Sequence, residues 1–267
     1  MPSHYAHWYF GHLVRKVLPV PLRTLLRSDP AAYLAGLQGP DVLFHYHPLL
    51  PNAVRREGTA IHRRSGMYFF VAAREALLQQ DSPSARCYLA GAMCHYMLDS
   101  ACHPLVARAE KDTALSHSAV ETELDRSLMA AAGMDPYGRS AMDLLPASRA
   151  LGRTMAPFYR PASPAQIEAA LHGMRRDIRL TRVRSDSLRE AIFWVLRRTG
   201  TYAGYHGIFF SPTAAPGCEG ATEELTARLR ETVAPTVEEI QAFFDAVDGE
   251  MPLSQRLKPN FGGTNEG

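Results

Sequence analysis

The stretch from His95 to Asp125, HYMLDSACHPLVARAEKDTALSHSAVETELD, constrains the fold more than any other part of this chain. His95, Asp99 and His103 recur at intervals of four, and His117 and Glu121 repeat that interval after a step of fourteen residues. Side chains four apart in a helix stand one turn above one another on the same face, about 6 Å along the axis. Two helices packed as an antiparallel hairpin would therefore turn both sets toward one groove, with Asp99 able to bridge two ions. An isolated pair of this kind is usually a surface ion pair. Two pairs plus His103 on a segment otherwise rich in Ala, Cys, Met and Leu are a different matter, because an unpaired carboxylate among apolar residues costs several kcal/mol.

Helical spacing of apolar residues continues over most of the 267 residues, and alternating β-branched runs bounded by hairpin turns are nearly missing. The expected class is all-α, a single multi-helix domain of about eight helices with a metal site among its core helices. Residues 1–247 are taken as the domain and 248–267 as a frayed tail. Residues 37–58 read as loop because of Gly39-Pro40, Pro48 and Pro51. A helix is expected from His62 to about Gln80, followed by one from about Ser82 that Pro104 ends or bends. Ser116 suits the N-cap of the next helix and Gly133 its stop. Later helices are expected over 140–160, 164–182, 186–203 and 222–247, with Ser163-Pro164 as cap and first turn. Phe193, Trp194, Tyr202 and Tyr205 read as core.

The 29 basic and 27 acidic residues leave a net charge of +2, too little for an electrostatic footprint suited to nucleic acid. No stable nucleic-acid partner is expected. The four cysteines form no CxxC and read as reduced, buried thiols. Neither a secretory signal nor 18 successive apolar residues is present, so no transmembrane segment and a cytoplasmic location are expected. Imidazole and carboxylate donors without thiolate suit a catalytic zinc better than a closed structural one.

HxxxDxxxH, a step of fourteen and HxxxE, with "GPD" (Gly39 to Asp41) and the isolated His62 upstream, resemble the zinc-dependent phospholipase C family, whose fold is related to that of zinc-dependent single-strand nucleases. The resemblance covers roughly residues 1 to 130. It implies an all-helical domain holding two or three zinc ions that hydrolyses phosphodiesters, with a phospholipid or head-group diester as substrate. By similarity His103, His117 and Glu121 hold one ion, and His95, Asp41 and His62 a second. Asp99 bridges to a third, for which His7 of "YAHWYFG" is the candidate ahead of His4 and His12. Members of the family also chelate through a processed N-terminal residue and space the bridging Asp farther from the next His. Asp41 is the candidate to orient or accept the water proton, its alternative being a plain turn residue after Gly-Pro. His45 and His47 could line the substrate pocket, Arg63 and Arg64 could neutralise a phosphate, and His172 and His206 carry no assigned role. Competing readings are a single-strand nuclease-like phosphodiesterase and a metal-binding helical protein without turnover.

Overall fold

The computed structural model describes residues 4–113, 115–138, 141–211, 213–249 and 251–265. It is all-α, and its thirteen α-helices among the described residues exceed the eight expected. The first three are α1 (His4–Val17), α2 (Val20–Ser28) and α3 (Pro30–Gly36), the last capped by Asp29, whose carboxylate accepts from the Ala32 N–H. After them come a 3-10 helix, Gly39–His45, and α4 (Ala53–Arg63), so the segment read as loop is largely helical. Pro40 opens the 3-10 helix rather than preventing it, since a first-turn position needs no N–H donor. His62 ends α4, and Ser65 caps α5 (Gly66–Gln79).

Helix α6 (Pro83–Thr113) forms the axis of the molecule. Nearly every side chain from Cys87 to Asp99 is buried, and α1, α2, α3, α5, α7, α8, α12 and α13 all pack on it. A helix apolar on all sides has to be surrounded in this way. Pro104 does not end α6, which continues to Thr113. Pro104 leaves the Ser100 carbonyl without its helical donor. The backbone at Gly263, from the C-terminal segment, lies against that carbonyl and the proline ring.

Helix α7 (His117–Ala131) starts at Ser116, whose hydroxyl accepts from the Ala119 N–H. Beyond it are α8 (Arg149–Met155) and α9 (Pro164–Leu180), where Ser163 and Gln166 form a capping box. Two helices, α10 (Asp186–Arg198) and α11 (Tyr202–Tyr205), replace the one expected over 186–203, and α12 (Glu219–Glu231) and α13 (Val233–Gly249) replace the one over 222–247. The aromatic cluster assigned to the core is not there: α10 has no buried residue, and Trp194 is 58% exposed.

The expected frayed tail is also corrected. Leu257 and Phe261 are fully buried, the Gly66 N–H donates to the Pro259 carbonyl at 2.8 Å, and the Tyr96 hydroxyl bonds the Arg256 and Pro259 carbonyls. Hydrophobic burial holds this segment where composition suggested fraying. All four cysteines are free and buried, and no helix among the described residues is long and apolar enough to cross a membrane.

Candidate metal centre

Five elements bring the eight sequence-selected side chains together. Helix α6 supplies His95, Asp99 and His103 from one face, and α7 supplies His117 and Glu121. Asp41 comes from the 3-10 helix, His62 from the last turn of α4 and His7 from α1. The contacts form one chain across the site. Asp41 Oδ1 lies 2.8 Å from His62 Nε2 and 3.9 Å from His95 Nε2. Asp99 meets His95 Nε2 through Oδ2 at 3.2 Å, and through Oδ1 it meets His7 Nε2 at 3.2 Å and His103 Nε2 at 3.8 Å. Glu121 Oε1 stands 3.3 Å from both His103 Nε2 and His117 Nε2.

Local structure explains why these rings point inward. Gly39 has φ of 50°, and a Cβ there would lie 2.6 Å from His95 Cδ2, so only glycine lets the 3-10 helix close over that imidazole. Asp125, on α7, accepts the Tyr5 N–H at 3.0 Å and the Ala6 N–H at 2.7 Å. It satisfies the open first turn of α1 and so fixes His7 beside the cluster. Asp125 stands four residues beyond Glu121, an interval visible in the sequence whose meaning depends on a helix 120 positions away.

For four of the five rings the second nitrogen identifies the tautomer. His62 Nδ1 donates to the Gly58 carbonyl at 2.7 Å, His95 Nδ1 to the Leu37 carbonyl at 3.2 Å and His103 Nδ1 to the Phe261 carbonyl at 2.7 Å. His117 Nδ1 faces Glu110 Oε2 at 3.2 Å. With Nδ1 carrying the proton, the Nε2 lone pairs are left for an ion, the usual arrangement behind metal-bound histidine. Neither Glu110 nor the three carbonyls was foreseen; Phe261 could not be, because it lies in the segment read as tail.

Burial and charge complete the description. Asp41, Asp99 and Glu121 are buried, and burial alone would raise their pKa values. The facing imidazoles outweigh that effect at Asp41, held below the usual carboxylate range, and at Asp99, held well below it; Glu121 is also held well below it, with His103 and His117 among the groups that lower it. Burial works against charge on His103, but Asp99 and Glu121 carry its pKa up to about 9. The same balance raises His95, whereas burial and His95 together lower His7.

Three groups of donors lie within 4.8 Å of one another: His103 with His117 and Glu121, Asp41 with His62 and His95, and His7 with His95 and Asp99. The residues fit a divalent ion. His62 Nε2 and Asp41 Oδ1 are buried and close, yet they lack hydrogen-bond alignment, and His95 Nε2 also meets no hydrogen-bond partner among the described residues. Buried lone pairs converging without a proton between them are what a cation would satisfy. The family model for zinc-dependent phospholipase C matches residues 6–155, a span that contains all eight side chains. The chain belongs to the zinc-dependent phospholipase C family. No curated protein and no solved structure shows significant similarity to it.

For this family member the remaining histidines divide by place. The cluster opens into a cavity of about 1530 Å³ whose walls include His4, His45, His47 and His172. His12 instead stacks on Trp8, His206 Nδ1 bonds the Tyr202 carbonyl, and Arg63 and Arg64 are exposed. The cavity also exposes residues that sequence reasoning passed over: Arg55, Arg176 and Asp177, and an apolar set including Phe44, Leu49, Leu50, Ile178, Ile208 and Phe209. The chain's N-terminal residue, a chelator in the resemblance, lies outside the described residues.

Proposed function

We propose that this protein is a zinc-dependent phosphodiester hydrolase of phospholipase C type, acting on a phospholipid or a related head-group diester. One observation carries the reading: three overlapping imidazole and carboxylate donor groups, all of whose members but the fully buried His95 line one large cavity, face other walls that are largely apolar. Family membership makes zinc the expected metal. His103, His117 and Glu121 would hold one ion, and Asp41, His62 and His95 a second. One Nε2 lone pair serves one ion, so His95 cannot also complete the third group. His7 and Asp99 remain for a third ion, which makes two ions the count best supported by the described residues.

Bound zinc supplies Lewis acidity, neutralising phosphate charge and bringing the pKa of coordinated water toward ~7. The protein's part is to hold the donors rigid and to receive the proton. Asp41, ionised and open to the cavity, accepts the proton of the attacking water. Phe44, Leu49, Leu50, Ile208 and Phe209 offer aliphatic and aromatic surface to acyl chains, a lining that favours a lipid over a polynucleotide, which would call for a basic groove with stacking rings.

The test is hydrolysis by protein loaded with zinc, stripped by chelator and reloaded. Release of diacylglycerol from phosphatidyl diesters, lost on stripping and restored by zinc, supports the reading. Cleavage of single-stranded DNA in preference to lipid would move the assignment to the nuclease branch, and bound zinc without turnover of any diester would make the site non-catalytic.

A further inference from the structure

Facing the same cavity is an imidazole that belongs to none of the three donor groups. His45 Nδ1 lies 2.8 Å from Asp177 Oδ2, a carboxylate whose Oδ1 accepts from Arg176 Nε at 2.9 Å. His45 Nε2 has no hydrogen-bond partner among the described residues, although the ring lines the cavity. Resting on the hydrolase reading above, we propose that His45, backed by Asp177, is the catalytic proton donor to the leaving oxygen of the diester.

The position is built into the fold twice over. His45 ends the 3-10 helix that carries Asp41, four residues on, a rise of about 8 Å at roughly 2 Å per residue. From the other side, the His45 ring centroid lies 5.7 Å from that of His4, which precedes His7 by three residues on α1. Both routes place the dyad beside the cluster and outside it. Helix α9 is pressed against the 3-10 helix at Gly173, where a Cβ would come within 2.2 Å of the His45 carbonyl oxygen. One turn later on α9, Asp177 meets the ring. A larger residue at 173 would push the dyad apart.

The partner of Nδ1 fixes the chemistry. The Nδ1–H groups of His62, His95 and His103 rest on neutral carbonyls, which orient a ring for metal binding. A carboxylate behind His45 sets a negative charge against Nδ1–H, so Nε2–H can be offered to a substrate and the ring reset afterwards. In the proposed step a water oxygen bonds to phosphorus and gives its proton to Asp41. The bond from phosphorus to the leaving oxygen breaks, that oxygen keeps the electron pair, and it takes the proton from His45 Nε2. The products are a phosphomonoester and a neutral alcohol, with His45 left neutral and its Nδ1–H still on Asp177. An alkoxide is nearly as basic as hydroxide and needs this proton; a p-nitrophenoxide leaves without it.

That contrast supplies the experiment. Zinc-loaded wild type, His45→Ala and Asp177→Asn are compared on hexyl phosphorylcholine and p-nitrophenyl phosphorylcholine, with zinc content measured for each. The expected result is a loss of kcat on the hexyl ester of about 100-fold in His45→Ala, a smaller loss in Asp177→Asn, and a change within about threefold on the p-nitrophenyl ester, all at unchanged zinc content. Equal losses on both esters, no loss on the hexyl ester, or zinc lost with the imidazole would overturn the assignment. A zinc-loaded wild type that cleaves neither ester takes down the hydrolase reading itself, and this proposal with it.

Discussion

The cavity has two unlike walls. One, made by α1, the 3-10 helix, α4, α6 and α7, is polar where it is buried: seven ionisable side chains line the cavity, with His95 fully buried behind them. The other, made from α9 to the segment around Phe209, is largely apolar, and α10 behind it buries no residue at all. Phe193 of α10 touches the cavity wall edge-on to Phe209, while Leu188 and Val195 of the same helix stay at least half exposed. The difference teaches where chemistry and where recognition reside. Three buried carboxylates are tolerable only with compensating positive charge, so the first wall has little freedom to vary. Within the second, α9 is anchored by the buried Ile167, Leu171 and Met174, whereas α10 is held through surface arginine pairs and ring contacts, each worth little.

The largest effect expected from disturbing this contrast is in the first wall. Glu121→Gln removes the carboxylate that faces His103 and His117 at once. Zinc content should fall by at least one ion per chain, and diester hydrolysis by about 10³-fold, equivalent to several kcal/mol of lost charge stabilisation. Unchanged zinc in this variant would mean that the first wall is an ion-pair network without a metal role.

Next in size is the support behind that wall. Phe261 is fully buried against His62, His95 and Tyr96, and its carbonyl holds His103 Nδ1. Phe261→Ala should cost about 3–5 kcal/mol of stability in denaturant unfolding. Zinc affinity should weaken by about 10–100-fold, as for other losses of groups that orient a ligand. A fully stable variant would restore the frayed tail that composition suggested.

A smaller, pH-dependent effect separates metal-free from loaded protein. In the metal-free site the His103 pKa is raised from the 6.5 of an unperturbed histidine to about 9. Its ionic contribution is therefore fully present below pH 6.5 and is lost as pH rises through about 9. Thermal unfolding of stripped protein should drop across that window. Zinc competes with the proton for Nε2, so zinc binding near neutral pH should release protons and strengthen as pH rises. Calorimetry in buffers of different ionisation enthalpy would count those protons, and a count of zero would contradict the charge state assigned to the site.

The second wall should respond least. Trp194→Gln on the exposed side of α10 is expected to shift stability by no more than about 0.5 kcal/mol and to leave zinc content unchanged. A change of several kcal/mol would show that α10 is held by more than surface contacts.

This contrast also governs what could be read before the structure was known. The candidate donors on α6 and α7 were legible because one helical period writes their geometry directly into the spacing, and Ser116 and Ser163 marked their helices because capping is local chemistry. Pro104 misled, since the segment that settles around it arrives from residue 263. The tail misled for a related reason: a short run around Phe261 has little periodicity, and its burial depends on a pocket made by α4 and α6. Trp194 was assigned to the core from its residue type alone, which does not say which side of an amphipathic helix meets a neighbour. Asp177 was invisible because its meaning comes from His45, 132 positions earlier.

The most direct test is to locate the metal itself. Crystals of protein purified without chelator, measured on both sides of the zinc absorption edge, should show anomalous peaks within bonding distance of His103, His117 and Glu121 and of Asp41, His62 and His95. Peaks elsewhere, or a zinc-replete crystal with none at these side chains, would contradict the account.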